Sequence, residues 1–152
     1  MKTEYEPLFP AGFHYLHDGD LDGVFVAPFS NSDRRELLIR RFRALIRRVA
    51  ALNIPCEVWL DGSFATMKPD PEDIDLLFTF DTEAVNTASD EAKEELAAIF
   101  GEDGRAETRL RYGCDVYVIA SDDDPMRSYW RGWFGYTRDE KPKGIPSMRI
   151  GL

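Results

Sequence analysis

The sequence predicts one domain of the α+β type, a small mixed β-sheet with helices packed on one side. Three observations lead there. Apolar runs of strand length recur at residues 57–60, 74–80 and 114–120, each bounded by turn formers. Longer segments at 33–52, 89–100 and 125–134 carry apolar residues at helical spacing. The resulting order of helix, strand, turn, strand, helix, strand, helix suits a small sheet covered by helices.

Composition bounds the reading further. A chain of 152 residues makes one ordinary domain, burying roughly two-thirds of its unfolded surface. Hydrophobic residues at 43% and aromatics at 12% supply a core and argue against disorder. No apolar run approaches the ~20 residues of a bilayer span. The start, Met1-Lys-Thr-Glu-Tyr-Glu-Pro7, lacks the apolar stretch of a signal peptide. Cys56 and Cys114 are too few for a disulfide framework or a four-thiolate zinc site. They read as reduced thiols in a cytoplasmic protein. The net charge of −9 argues against general nucleic-acid affinity, which rests on a cationic footprint.

Taken in order, residues 1–12 hold Pro7, Pro10 and Gly12 and read as an irregular arm, followed by a short strand over 13–16. His14 and His17 in this region read as surface or packing residues. Asp18-Gly-Asp20-Leu-Asp22-Gly23 resembles the opening of an EF-hand loop, but Phe29 stands at the twelfth position, where a bidentate Glu is required. A polar turn is the better reading, with a short strand expected over 23–27. Ser32 or Asp33 starts the longest helix, Asp33 and Glu36 forming a capping box. Leu38, Phe42, Leu45, Val49 and Leu52 give it an apolar face that Ile46 widens, and Asn53 and Pro55 stop it. Its other faces carry Arg34, Arg35, Arg40, Arg41, Arg43, Arg47 and Arg48 against one acid, Glu36. From Arg35 to Arg48 this is either a solvated face or a docking surface for RNA or an acidic partner.

Asp81 and Thr82 open a polar loop, and Ser89 or Asp90 caps a helix to Phe100. Gly101 and Gly104 bound a turn, and 105–112 is expected to form an edge strand. The strand at 114–120 ends in Asp122-Asp-Asp-Pro125, which starts a helix carrying Tyr129, Trp130, Trp133 and Phe134. These rings could stack a base, but at helical spacing they read as core. The tail from 136 is rich in Pro and Gly, with a last short strand at 148–150.

The chemistry concentrates at 59–80. An apolar run leads into Gly62-Ser63, a loop with Lys68, Pro69 and Pro71 follows, and Asp73-Ile-Asp75 opens the next run. Alternate side chains of a strand share a face, so Asp73 and Asp75 point together while Ile74 enters the core. Paired carboxylates suit divalent metal, and a glycine turn with free N–H groups suits phosphate. Asp115, at the mouth of the 114–120 strand, is the third carboxylate if that strand lies beside the Asp73–Asp75 strand. Asp61 either caps the turn or adds negative charge. Lys68 and Lys143 are phosphate-binding candidates, with Arg111 and Lys141 behind them.

Gly-Ser, nine residues, then Asp-x-Asp resembles the signature of the nucleotidyltransferase superfamily, the fold of polymerase beta, poly(A) polymerases and small bacterial nucleotidyltransferases. The whole chain is similar to a small bacterial single-domain family reading Leu-Asp-Gly-Ser-Phe, Lys-Pro, Asp-Ile-Asp and Lys-Gly-Ile, matched here at 60–64, 68–69, 73–75 and 143–145. The resemblance implies a two-ion Mg²⁺ (or Mn²⁺) site on Asp73, Asp75 and Asp115, with an NTP on Gly62, Ser63, Lys68 and Lys143. Asp115 would also help deprotonate the acceptor. The implied reaction moves an NMP from Mg–NTP to a hydroxyl of RNA, such as a tRNA 3′ end, or of a partner protein, in a toxin–antitoxin or phage-defence setting. The alternative is a catalytically silent, antitoxin-like binding protein on the same fold, favoured if Asp115 lies far from the other two carboxylates.

Overall fold

The computed structural model describes residues 4–30 and 32–151. Strands β1 (Gly12–Tyr15), β2 (Cys56–Asp61), β3 (Ile74–Phe80), β4 (Cys114–Ala120) and β5 (Gly144–Ile150) form a single sheet in the order β1-β5-β2-β3-β4. The sheet is mixed: β1 with β5 and β3 with β4 run parallel, while β2 is antiparallel to both its neighbours. The last strand is longer than the sequence suggests, opening at the Lys143-Gly144-Ile145 run.

Period-two alternation divides the sheet into two faces. Val58, Leu60, Ile74, Leu76, Phe78 and Val116 enter the larger core, built with helices α1 (Leu21–Phe25), α2 (Asp33–Ala50), α3 (Thr82–Asn86), α4 (Asp90–Phe100) and α5 (Glu102–Tyr112). Trp59, Leu77, Ile119 and Ile145 point the other way and meet Phe134 in a second, smaller cluster. Phe134 ends α6 (Asp124–Phe134), so the mixed α+β architecture holds, while α6 departs from the one-sided arrangement. Among the described residues no helix is long and apolar enough to cross a membrane.

Several local expectations change. Residues 105–112 are helix α5, not an edge strand. The segment is the last part of the crossover that joins the parallel strands β3 and β4. Gly101, in extended conformation, separates α4 from α5, and Gly113 closes α5 at φ 66°, the left-handed end that glycine favours. The 23–27 strand is likewise replaced by α1 over 21–25, because Leu21 and Phe25 are buried one helical turn apart. Phe25 stacks on Phe64 with centroids 4.7 Å apart. Thr82–Asn86 is a short helix within the expected polar loop, capped by Asp81, which accepts from the Ala84 N–H.

Helix α2 begins one residue earlier than a capping box on Asp33 requires. Ser32 is the N-cap and makes no side-chain cap bond; its hydroxyl donates to the Val26 carbonyl. The buried face is Leu38, Ile39, Phe42, Leu45 and Val49, and Ile46 and Leu52 pack partly buried at its edge. Arg35 is buried with them. Arg43 pairs with Asp18 and Asp22, giving the EF-hand-like stretch a structural role, and Arg48 pairs with Glu95. Both cysteines are free and buried.

Candidate active site

The sheet register assembles a row of carboxylates. Asp61 on β2 stands opposite Asp75 on β3, and Asp75 stands beside Asp115 on β4. Neighbouring strands lie about 4.8 Å apart, so Asp115 is close to the pair. Asp73 precedes β3 by one residue and shares the face of Asp75. The opposite face at these positions is apolar core, formed by Leu60, Ile74, Leu76 and Val116.

Three of the four carboxylates have cationic partners. Asp61 pairs with Lys143, and both are buried. The Lys143 ammonium meets Asp61 at Oδ1. Asp115 Oδ1 lies 3.2 Å from Arg105 Nη2, and its Oδ2 accepts from the Tyr117 hydroxyl at 3.0 Å. Asp73 Oδ2 lies 3.0 Å from Arg109 Nη2. Asp75 has no ion-pair partner among the described residues. Burial pushes its carboxyl up to about 7; Asp73, Asp61 and Asp115 add to the rise and Lys143 opposes it. Asp61 is pushed up to about 6 by burial, with Lys143 and the Gly62 N–H opposing. With Asp73 and Asp115 drawn to arginines, no three potential ligand side chains converge among the described residues.

Gly62 closes the turn directly over this row. Its φ is +80°, and a Cβ there would sit 2.7 Å from Asp75 Oδ2. Only glycine meets both demands. Ser63 then opens a short 3₁₀ turn to Ala65. The loop is held from outside by Arg35. Its guanidinium donates to the Phe64 carbonyl at 2.9 Å, Thr66 at 2.7 Å, Lys68 at 2.7 and 3.1 Å, and Phe25 in α1 at 3.1 Å. Burial pulls the Arg35 pKa down to about 10. From the other side the N-terminal arm lies against the loop, through Leu8 N–H to Ala65 O at 3.0 Å and Met67 N–H to Glu6 O at 2.8 Å. Residues 1–3 of the expected arm fall outside the described residues.

A cleft of about 1230 Å³ opens over the site. One wall is made of Gly62, Ser63, Lys68, Asp73, Asp75 and Lys143; Gly132, Trp133, Tyr136 and Arg138 line it as well. Six of the seven expected site residues therefore share one cleft, and Asp115 lies one strand away, off its lining. Arg111 is elsewhere, in a shallow groove of about 590 Å³ with Arg40, Arg41, Arg47 and Arg48. Lys141 is exposed near Asp139. The sequence reading missed Arg105 and Arg109, which it placed on a strand; their spacing of four is the helical signal that would have found them. It also placed Arg35 on a solvated or docking face, whereas the side chain is buried.

A family model matches residues 1–149, and the chain belongs to that family, described as a family of unknown function (DUF6932). No curated protein and no solved structure matches the chain.

Proposed function

We propose that this member of the DUF6932 family is a metal-dependent nucleotidyltransferase that moves an NMP from Mg–NTP to a hydroxyl. The observation that carries the reading is Asp75, a half-buried carboxylate without a counter-ion among the described residues, in register between two others and roofed by a glycine turn. Asp73, Asp75 and Asp115 would hold the metal, and their oxygen donors fit a hard cation such as Mg²⁺ or Mn²⁺. Bound there, the metal would supply charge neutralisation for the triphosphate and the departing pyrophosphate.

The chain's own groups do the rest. Gly62 keeps the backbone bare, so phosphate oxygens reach the Ser63 N–H and hydroxyl. Lys143, held in place by Asp61, offsets phosphate charge together with Lys68. Asp115 takes the proton of the acceptor hydroxyl as its oxygen bonds the α-phosphorus and the bond to the β-phosphate oxygen breaks. The acceptor hydroxyl belongs to RNA, such as a tRNA 3′ end, or to a partner protein in a toxin–antitoxin or phage-defence pair. Arg40, Arg41, Arg47 and Arg111 support an acidic acceptor, since the other arginines of α2 with identified partners serve the fold. A reducing cytoplasm fits the two free thiols.

Calorimetry with each NTP, with and without Mg²⁺, tests the reading. Metal-dependent binding that Asp75→Asn abolishes is the expected result; binding indifferent to both overturns it. The second reading, a silent nucleotide-binding protein, is favoured by the ion pairs that occupy Asp73 and Asp115. Metal-dependent NTP binding with no pyrophosphate release in the presence of tRNA or of the partner would select it.

A further inference from the structure

Helix α6 carries three large rings besides Phe134, and they are used differently. Trp130 lies 4.7 Å from Tyr117 and 5.5 Å from Phe134, centroid to centroid, and Tyr129 meets Trp130 edge-on at 5.6 Å. Trp133 is 66% exposed, and Tyr136, just past the helix, is 51% exposed. Neither ring pairs with another ring or a cation among the described residues, and both line the cleft that holds Asp75 and Gly62. Large aromatics open to a cleft over charged groups are unlike the core rings that the helical spacing predicts.

A second, independent feature is Gly132. Glycine inside a helix is unfavourable, and nothing in the fold asks for it here, because a Cβ at this position would meet no atom within 4 Å. Gly132 also lines the cleft, where its bareness leaves room for a flat group beside Trp133. The wall is tied to the phosphate side by the backbone: Tyr136 bridges to Pro142, and the Lys143 N–H donates to the Gly135 carbonyl at 2.8 Å. Lys143 thus ends the hairpin that carries Tyr136.

We propose that Trp133 and Tyr136, with Gly132 left bare between α6 and the cleft, form the platform on which the nucleobase of the bound nucleotide stacks. The assignment rests on the nucleotide reading of the cleft. The platform takes the base, while Ser63, Lys68 and Lys143 take the triphosphate. Stacking on an aromatic face is available to every base, so the platform contributes affinity for a nucleoside over a bare phosphate chain.

The test compares ATP with inorganic tripolyphosphate, both with Mg²⁺, by calorimetry. The intact protein binds ATP more tightly. Trp133→Ala weakens ATP by roughly 5- to 150-fold, the range expected for losing one stacked base, and leaves tripolyphosphate unchanged; Trp133→Phe restores most of the ATP affinity. Gly132→Leu fills the open space with a better helix former, so it keeps or raises the melting temperature and still weakens ATP selectively. Unchanged ATP affinity in Trp133→Ala, or an equal loss for both probes, overturns the platform alone. Failure of the intact protein to bind either probe overturns the nucleotide reading, and the platform with it.

Discussion

Removing the Arg35 guanidinium measures how far the Gly-Ser loop depends on one side chain. Arg35→Met keeps most of the stem and strips every donor. Of the four carbonyls it serves, those of Phe25 and Phe64 are reached by buried hydrogen bonds, while those of Thr66 and Lys68 are partly exposed. An orphaned buried acceptor costs about 1–3 kcal/mol, so the two buried carbonyls together lose about 2–6 kcal/mol. The partly exposed carbonyls rehydrate at little cost. Relief of a buried cation, whose pKa burial pulls down to about 10, offsets part of the loss. The net expectation is a destabilisation of about 2–4 kcal/mol, read as a shift of the urea midpoint at unchanged slope. Arg35→Lys offers a point charge in place of a planar fork and recovers no more than about half. Amide exchange at Ala65 and Thr66, which bond back to Gly62 and Ser63, quickens in both variants. A loss below about 0.5 kcal/mol in Arg35→Met, or unchanged exchange at these two amides, refutes the reasoning.

Two more perturbations probe the row itself. Gly62→Ala strains the backbone by about 1–3 kcal/mol and drives its methyl into Asp75, so Mg²⁺ affinity falls at least about tenfold in a chain that still folds; undiminished Mg²⁺ affinity by calorimetry would show that the turn does not shape the site. The pH dependence follows from Asp75, whose folded pKa of about 7 lies above its ordinary carboxylate value. The folded chain then holds a proton that the unfolded chain releases, so the contribution of Asp75 to stability without metal is full below about pH 4 and is lost as pH rises to about 7. The decline is on the order of 2–4 kcal/mol, and Asp61, raised to about 6, acts in the same direction. Urea titrations across that range should show a shallower slope in Asp75→Asn, the remainder belonging to Asp61, and a slope undiminished by the substitution refutes the assignment.

Much of this was legible in the sequence because it is local. The β3 and β4 strands follow from uninterrupted apolar runs, and the common face of Asp73 and Asp75 follows from the two-residue repeat of a strand. Gly62-Ser63 announced a turn, though nothing local said that Asp75 would fill the space where a Cβ belongs. What stayed hidden depends on pairing. Asp61 joins the row only through the β2–β3 register, and Asp115 only through the β3–β4 register. Residues 102–112, the last part of the crossover that the parallel β3–β4 pairing requires, are helix and carry Arg105 and Arg109 to the carboxylates. Arg35 sits among arginines that look alike along the helix, and only the third dimension separates the one facing four carbonyls from those facing solvent. Trp133 was hidden in the same way, by helical neighbours that are core.

The ion pairs sort the four carboxylates by how readily each can accept a new cation. Asp61 and Lys143 are buried together, and breaking such a pair leaves an uncompensated charge at about 3–5 kcal/mol. Asp61 is therefore fixed as the holder of Lys143 and does not compete as a ligand. The Arg105–Asp115 and Arg109–Asp73 pairs join arginines 41% and 59% exposed to carboxylates 22% and 27% exposed; with the cation open to solvent, such pairs are worth on the order of 1 kcal/mol. Asp115 and Asp73 can release them at small cost. Asp75 has no ion pair to release among the described residues and gains most from a cation, because burial first, and then its acidic neighbours, push its carboxyl towards the protonated form. Of the four, the energetics leave Asp73, Asp75 and Asp115 open to a new cation; spacing in the sequence brings the first two together, and the β3–β4 register adds the third.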